Sequence, residues 1–159
     1  MPALRSVYSI DSSALIHGWH RVYRPKNFGF VWERLDGLIG EGRLRASIEV
    51  LNELERKDDE LFAWCKGRRE RLFAEIDDEC QKHVARIMKS YPRLVDTVRG
   101  RSGGDPFVIA LAASTNPFMI VITEESPGKE RIPDVCVAEK IRCLGLADMI
   151  EEENWQFGK

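Results

Sequence analysis

The chain lacks the residue patterns that build a zinc site or a disulfide framework. Its four cysteines, Cys65, Cys80, Cys136 and Cys143, form no Cys-x-x-Cys pair, and none of its three histidines stands at zinc-finger spacing from them. They read as reduced, partly buried thiols; whether Cys136 and Cys143 meet across a helix-to-strand corner is a question the sequence leaves open. No apolar run approaches the ~20 residues that a bilayer span requires. The N-terminal MPALRSVYSID has neither an extended apolar core nor a small-residue cleavage site, so it reads as mature, cytoplasmic protein. The glycine-rich stretch Gly100–Gly104 lacks the Gly-Lys-Ser/Thr ending of a phosphate loop. Asp11 has Ser13 two residues on, where phosphoryl transfer of the haloacid dehalogenase type wants a second Asp. The acidic pair and late Lys of a response-regulator receiver are also missing. With a net charge of −2, the chain is not one that coats nucleic acid unaided.

What is present fits one domain over residues 1–159, with 43% hydrophobic and 31% charged residues and enough length for a continuous core. Ser6–Ile10 is β-branched and aromatic and stops at Asp-Ser-Ser, which predicts strand, turn and a short helix over Ala14–Trp19. Arg24–Asn27 reads as a break, Phe30–Ile39 as a helix and Leu44–Ala46 as a second strand. Ser47 caps a helix whose stripe is Ile48, Leu51 and Leu54. Leu61–Phe73 and Asp77–Ser90 read as two more amphipathic helices, the second stopped by Pro92. Thr97–Gly104 is a polar loop, and Asp105-Pro106 is the best-marked helix start in the chain. Met119–Thr123 is apolar on both faces, as in a parallel sheet covered by helices. A loop over 124–133, a helix over Val135–Glu139, a strand over Ile141–Leu146 and a helix over Ala147–Glu153 complete the pattern. Strands alternating with helices predict an α/β sandwich with a mostly parallel sheet, in which ligands gather beyond the carboxyl ends of the strands.

Four acidic residues occupy positions where a carboxylate is locally awkward. Asp11 ends VYSI, Glu53 lies within SIEVLNELERK, Asp105 opens DPFVIALAA, and Glu125 follows MIVITE. Taken singly, each has an ordinary reading: Asp11 and Asp105 as helix caps, Glu53 as a solvated helix residue, Glu125 as part of a polar loop with Glu124. Taken together, carboxylates drawn from distant segments suit a hard divalent cation such as Mg²⁺ or Mn²⁺, which prefers oxygen ligands.

In the combination VYSIDSSALI, VLNELERK, SGGDPFVIALA and IVITEE, the chain resembles the PIN-domain ribonucleases, many of them bacterial toxins. The resemblance covers nearly the whole chain. Its extended middle region and its IPDVC and KIRCLGLADMI segments resemble a longer PIN subgroup. It implies a three-layer α/β/α sandwich with carboxylates holding Mg²⁺ or Mn²⁺. By motif the ligands and catalytic residues are Asp11, Glu53, Asp105 and Glu125, with Glu124 and Asp134 as further candidates. Ser12 and Thr123 match polar positions that hydrogen-bond those carboxylates. The implied reaction is metal-assisted hydrolysis of RNA phosphodiester bonds, needing no His or Ser nucleophile. The implied setting is the toxin half of a toxin–antitoxin pair, with an antitoxin protein as partner and a homodimer by analogy.

Two basic clusters, Lys66–Arg71 and Arg93–Arg101, fit either a phosphate-facing patch or a solvated surface. Arg99 and Arg101 are the candidate substrate contacts from the second, and His20 or Arg21 is placed to touch substrate phosphate. Trp19, Trp32, Trp64 and Trp155 read as packing residues before base-stacking ones. The rival functional reading is a PIN-like module that binds RNA or protein without cutting. Clustered carboxylates, which repel phosphate, argue against it.

Overall fold

The computed structural model describes residues 5–95 and 105–157. The loop expected over Thr97–Gly104, with Arg99 and Arg101, lies outside them. Five strands form one parallel sheet in the order β3-β2-β1-β4-β5: β1 (Tyr8–Ile10), β2 (Leu44–Ser47), β3 (Phe73–Ala74), β4 (Ile120–Ile122) and β5 (Cys143–Leu144). β1 and β4 are buried at every residue. Strands buried on both faces in this way belong at the centre of a sheet covered by helices.

Consecutive residues of β1 show which helices cover which face, because neighbouring side chains on a strand point to opposite sides. Ser9 Oγ donates to the Val108 carbonyl at 2.9 Å, on α7 (Asp105–Ala113). The Tyr8 hydroxyl donates instead to Glu153, which ends α9 (Leu146–Glu152). α7 and α9 therefore lie on opposite sides, giving the three-layer α/β/α arrangement. α7 is apolar almost all round and is buried from Val108 to Ala113, packed against the sheet and α6 (Asp78–Ser90). A helix with no polar face needs such a double-sided setting.

The chain between β1 and β2 departs from the expected break. α1 (Ser12–His17) runs into a π-helical turn, Gly18–Val22, and α2 (Pro25–Gly40) begins at the supposed break, kinked where Phe28 leaves helical geometry. At Gly18 a Cβ would stand 2.8 Å from Leu146 Cδ2 and 3.4 Å from Trp32, so any larger residue there requires the buried Leu146 side chain to shift. Three tryptophans brace this turn, with Trp19–Trp32, Trp32–Trp64 and Trp19–Trp64 centroids 4.8, 5.1 and 6.1 Å apart. Arg68 stacks 4.1 Å above Trp64.

The predicted helix Leu61–Phe73 is a correction. It divides at Gly67 into α4 (Glu60–Lys66) and α5 (Arg69–Leu72), and Phe73 and Ala74 become β3, paired with Ala46 and Ser47. The last strand is also shorter than expected, because Leu146 already belongs to α9. α3 (Ile48–Glu55) starts at Ser47, whose hydroxyl accepts the Glu49 N–H at 3.3 Å, and α8 covers Ile132–Glu139. Cys136 and Cys143 are both free thiols, near enough for each to shift the other's titration. Among the described residues no helix is long and apolar enough to cross a membrane.

Candidate metal centre

The strand order reverses between β1 and β4, and a crevice opens at the carboxyl ends of strands at such a point. Asp11 is the first residue beyond β1, and Thr123 to Glu125 are the first beyond β4. The Asp11 N–H donates to the Ile122 carbonyl at 2.8 Å, which fixes the two strand ends side by side. Asp105 arrives from α7, which lies against both strands.

Asp11, Asp105 and Glu125 thereby converge, with one carboxylate oxygen of each within 4.8 Å of the others. Asp11 is 2% exposed and Asp105 5% exposed, so their charges are largely withdrawn from water. Burial pushes the Asp11 carboxyl above its ordinary range, against hydrogen bonds from Ser13 and Thr123. Burial, then the Asp11 charge, raises Glu125 as well, against the Arg131 guanidinium 3.2 Å away. Glu125 Oε2 is buried and has no hydrogen-bond partner among the described residues. An orphaned carboxylate oxygen in a ring of carboxylates is costly unless a cation meets it, so the donor set fits Mg²⁺ or Mn²⁺.

Two hydroxyl relays hold Asp11. Ser13 Oγ donates to Asp11 Oδ2 at 2.6 Å and accepts the Glu124 N–H at 3.0 Å. Thr123 Oγ1 donates to the same Oδ2 at 2.9 Å and accepts the Glu125 N–H at 3.1 Å. A hydroxyl has one proton to give. With both protons spent on Asp11, the 3.1 Å contact between the two hydroxyls is a packing contact, not a third hydrogen bond. The relays tie the backbone after β4 to the carboxylate after β1.

The remaining candidates take other places. Glu53, half-buried on α3, accepts from Ser12 Oγ at 2.8 Å, so it is joined to the residue beside Asp11 but is not in the three-residue cluster. Ser12 thus touches Glu53, whereas Thr123 touches Asp11. Glu124 lies 3.7 Å from His17 Nε2, on the side of the π-helical turn. Asp134 accepts the Arg131 and Gly128 N–H groups at 3.0 and 2.9 Å, which makes it the local cap of α8. Sequence reasoning passed over Ser13 and Arg131. The Asp-Ser-Ser run carried a signal for Ser13, because either serine can reach back to the carboxylate. Arg131 carried none, because its pairing with Glu125 depends on how the loop folds.

Solved structures share this fold. The DNA-bound VapBC of Salmonella typhimurium matches over 89% of this chain and 98% of its own, at a TM-score of 0.59 and 19% identity. VapBC2 of Rickettsia felis, bound to a DNA fragment from their promoter, matches over 87% and 98%, at 0.55 and 12%. VapBC-1 of nontypeable Haemophilus influenzae matches over 86% and 96%, at 0.54 and 17%. At these identities the likeness establishes the fold, which is PIN-like. No curated protein matches the chain in sequence. A family profile matches residues 8–157, and by it the chain belongs to the DUF4411 family, a domain of unknown function.

Proposed function

We propose that this protein is a cytoplasmic, metal-dependent endoribonuclease and the toxin of a toxin–antitoxin pair. The observation that carries the proposal is the convergence of Asp11, Asp105 and Glu125 around a buried carboxylate oxygen that accepts no hydrogen bond among the described residues. Nuclease chemistry at phosphodiesters is done largely by electrostatics and positioning, and this site offers both. The three carboxylates would hold Mg²⁺ or Mn²⁺, with Glu53 beside them through Ser12. Bound there, the cation supplies water activation and charge stabilisation on the scissile phosphate.

The protein's own groups set the geometry. Ser13 and Thr123 keep Asp11 in place by donating to one of its oxygens. Arg131 offsets part of the negative charge at Glu125 and restrains its carboxylate. The apolar core below excludes water from the floor of the crevice, which strengthens each interaction. The toxin setting draws on the fold shared with the VapBC complexes. A protein antitoxin would act by covering the acidic crevice, and a homodimer is proposed by analogy with the PIN family alone.

The test is cleavage of a mixed-sequence single-stranded RNA in Mg²⁺, Mn²⁺ or EDTA, comparing wild type with Asp11→Asn and Asp105→Asn. Cutting that needs the metal and is lost in both variants supports the proposal. Metal binding without any cutting across substrates would instead favour the non-catalytic binding module.

A further inference from the structure

A phosphodiester approaching three carboxylates meets repulsion unless positive charge stands nearby to hold the strand. The chain as a whole is acidic, yet the 21 residues from Ser12 to Trp32 contain no Asp or Glu, in a sequence that has 26 of them. The same stretch holds Arg21, Arg24 and Lys26, all exposed, and among the described residues none of the three is in an ion pair. It begins directly after Asp11, so it leaves the acidic crevice and crosses the adjoining surface.

Aromatic rings interleave with these cations. Tyr23 and Phe28 meet edge to face with centroids 5.7 Å apart, and Phe28 is 44% exposed. Phe28 stands at the kink of α2 with nearly half of its surface open to solvent, so one side of its ring is free to meet a ligand. The rings stand on a fixed base. Trp32 Nε1 donates to the Tyr23 carbonyl at 2.6 Å, and the Tyr23 N–H closes the π-helical turn on the Gly18 carbonyl at 2.9 Å. The path back to the metal centre is continuous. His17 Nε2 is 3.7 Å from Glu124, whose N–H binds Ser13, which binds Asp11. Glu124 also lies near enough to Tyr23 for its charge, after burial, to raise the phenol above its usual range.

We infer that the segment from Arg21 to Phe28 is the binding platform for the substrate strand, with Tyr23 and Phe28 stacking on unpaired bases and Arg21, Arg24 and Lys26 holding the phosphates. Cations interleaved with rigid rings, Phe28 exposed and Tyr23 half-buried, suit single-stranded nucleic acid, because every base has a face to stack and the backbone needs only charge. Paired bases are stacked on each other and leave no face for Tyr23 or Phe28, so the platform selects single strands. This inference rests on the ribonuclease reading of the crevice, and it supplies what that reading leaves open: where the strand lies and why it must be unpaired.

The test measures binding of a fluorescein-labelled single-stranded RNA 12-mer by anisotropy in EDTA, where metal-dependent cutting cannot occur. The proteins are wild type, Arg21→Ala/Arg24→Ala/Lys26→Ala, Tyr23→Ala/Phe28→Ala, and the rescue Tyr23→Phe/Phe28→Tyr. The triple variant should bind about tenfold more weakly and show a salt dependence shallower by about two, at roughly 0.7 per lost phosphate contact. The double alanine variant should lose about tenfold or more, the rescue variant should recover it, and a duplex of the same sequence should bind weakly throughout. Mn²⁺ binding by calorimetry should be unchanged in every variant, which also shows that each is folded. Equal RNA affinity in all four proteins would overturn the platform, as would variants that lose a protein antitoxin while keeping RNA. In cleavage assays the two readings separate. Cutting with an unchanged KM in the alanine variants would sink the platform and leave the nuclease standing. Platform-dependent binding by a wild type that never cuts would do the reverse.

Discussion

Replacing Glu125 with glutamine should stabilise the metal-free protein and weaken its response to metal, so that the order of stability reverses between the two conditions. The three carboxylates have ligand oxygens within 4.8 Å of one another. At that distance and an effective dielectric near 20, each ionised pair repels by roughly 3–4 kcal/mol. Glu125 takes part in two such pairs. Burial raises the Asp11 carboxyl, and burial with the Asp11 charge raises Glu125, so proton uptake by either group relieves part of that repulsion. Glutamine keeps the shape, removes the charge and lets an amide donor face Asp11, at the loss of an ion pair with Arg131, which is 36% exposed and so contributes little. The net gain should be about 1–3 kcal/mol, and at about 2–4 °C per kcal/mol for a chain of this size the melting temperature in EDTA should rise by about 2–12 °C. Mn²⁺ at a hundred times its dissociation constant should stabilise wild type by about 2.7 kcal/mol and the variant by much less. Differential scanning calorimetry of both proteins, with EDTA and with Mn²⁺, reads all four values. A variant less stable than wild type in EDTA, or one that responds equally to Mn²⁺, would refute the reasoning.

Three further outcomes follow from the same contacts. Thr123→Val removes the hydroxyl that links the Glu125 backbone to Asp11, and calorimetry should show metal affinity about 10–100-fold weaker with the fold retained. In EDTA, stability should rise as pH falls from 7 through the raised Asp11 and Glu125 values, because the folded state takes up those protons first. It should fall again below about pH 4. There Asp59 and Glu139 protonate: burial pushes both up, but the Phe62 N–H with His20 in one case, and Tyr91 with Arg86 in the other, hold them below their ordinary values. Saturating Mn²⁺ should move this maximum to higher pH, since protons compete with the cation, and a steady decline from pH 7 in EDTA would count against the buried ring. Gly18→Ala places a methyl group 2.8 Å from Leu146 Cδ2 and should cost about 1–3 kcal/mol by overpacking, read as a lower melting temperature.

The parts of this protein that could be read from its sequence are those governed by local rules. Asp105-Pro106 announced a helix start, and the all-apolar Phe107–Ala113 announced a helix without a solvent face. Strand-end positions placed Asp11 and Glu125 on one edge of a parallel sheet, because parallel strands share a carboxyl end. What sequence missed depends on long-range partners. Phe73 and Ala74 continue the helical spacing of Leu61, Cys65 and Leu72, and become a strand only because β2 offers them backbone partners. The close quarters at Gly18 come from distant segments, since Leu146 and Trp32 stand where a side chain there would go. Glu53 carries the right motif, and its carboxylate accepts from Ser12, the residue beside Asp11, a link that sequence spacing does not specify. The neighbouring Glu124 and Glu125 are indistinguishable by composition. Their roles diverge because one turns toward His17 and the other toward Asp11 and Arg131.

That divergence offers the most direct measurement, a calorimetric titration of Mn²⁺ into wild type, Asp11→Asn, Glu125→Gln and Glu124→Gln. Saturable binding in wild type and Glu124→Gln, lost or strongly weakened in Asp11→Asn and Glu125→Gln, is the predicted result. Equal binding by all four proteins, or no binding by wild type, would contradict the assignment of the buried carboxylate ring as a metal centre.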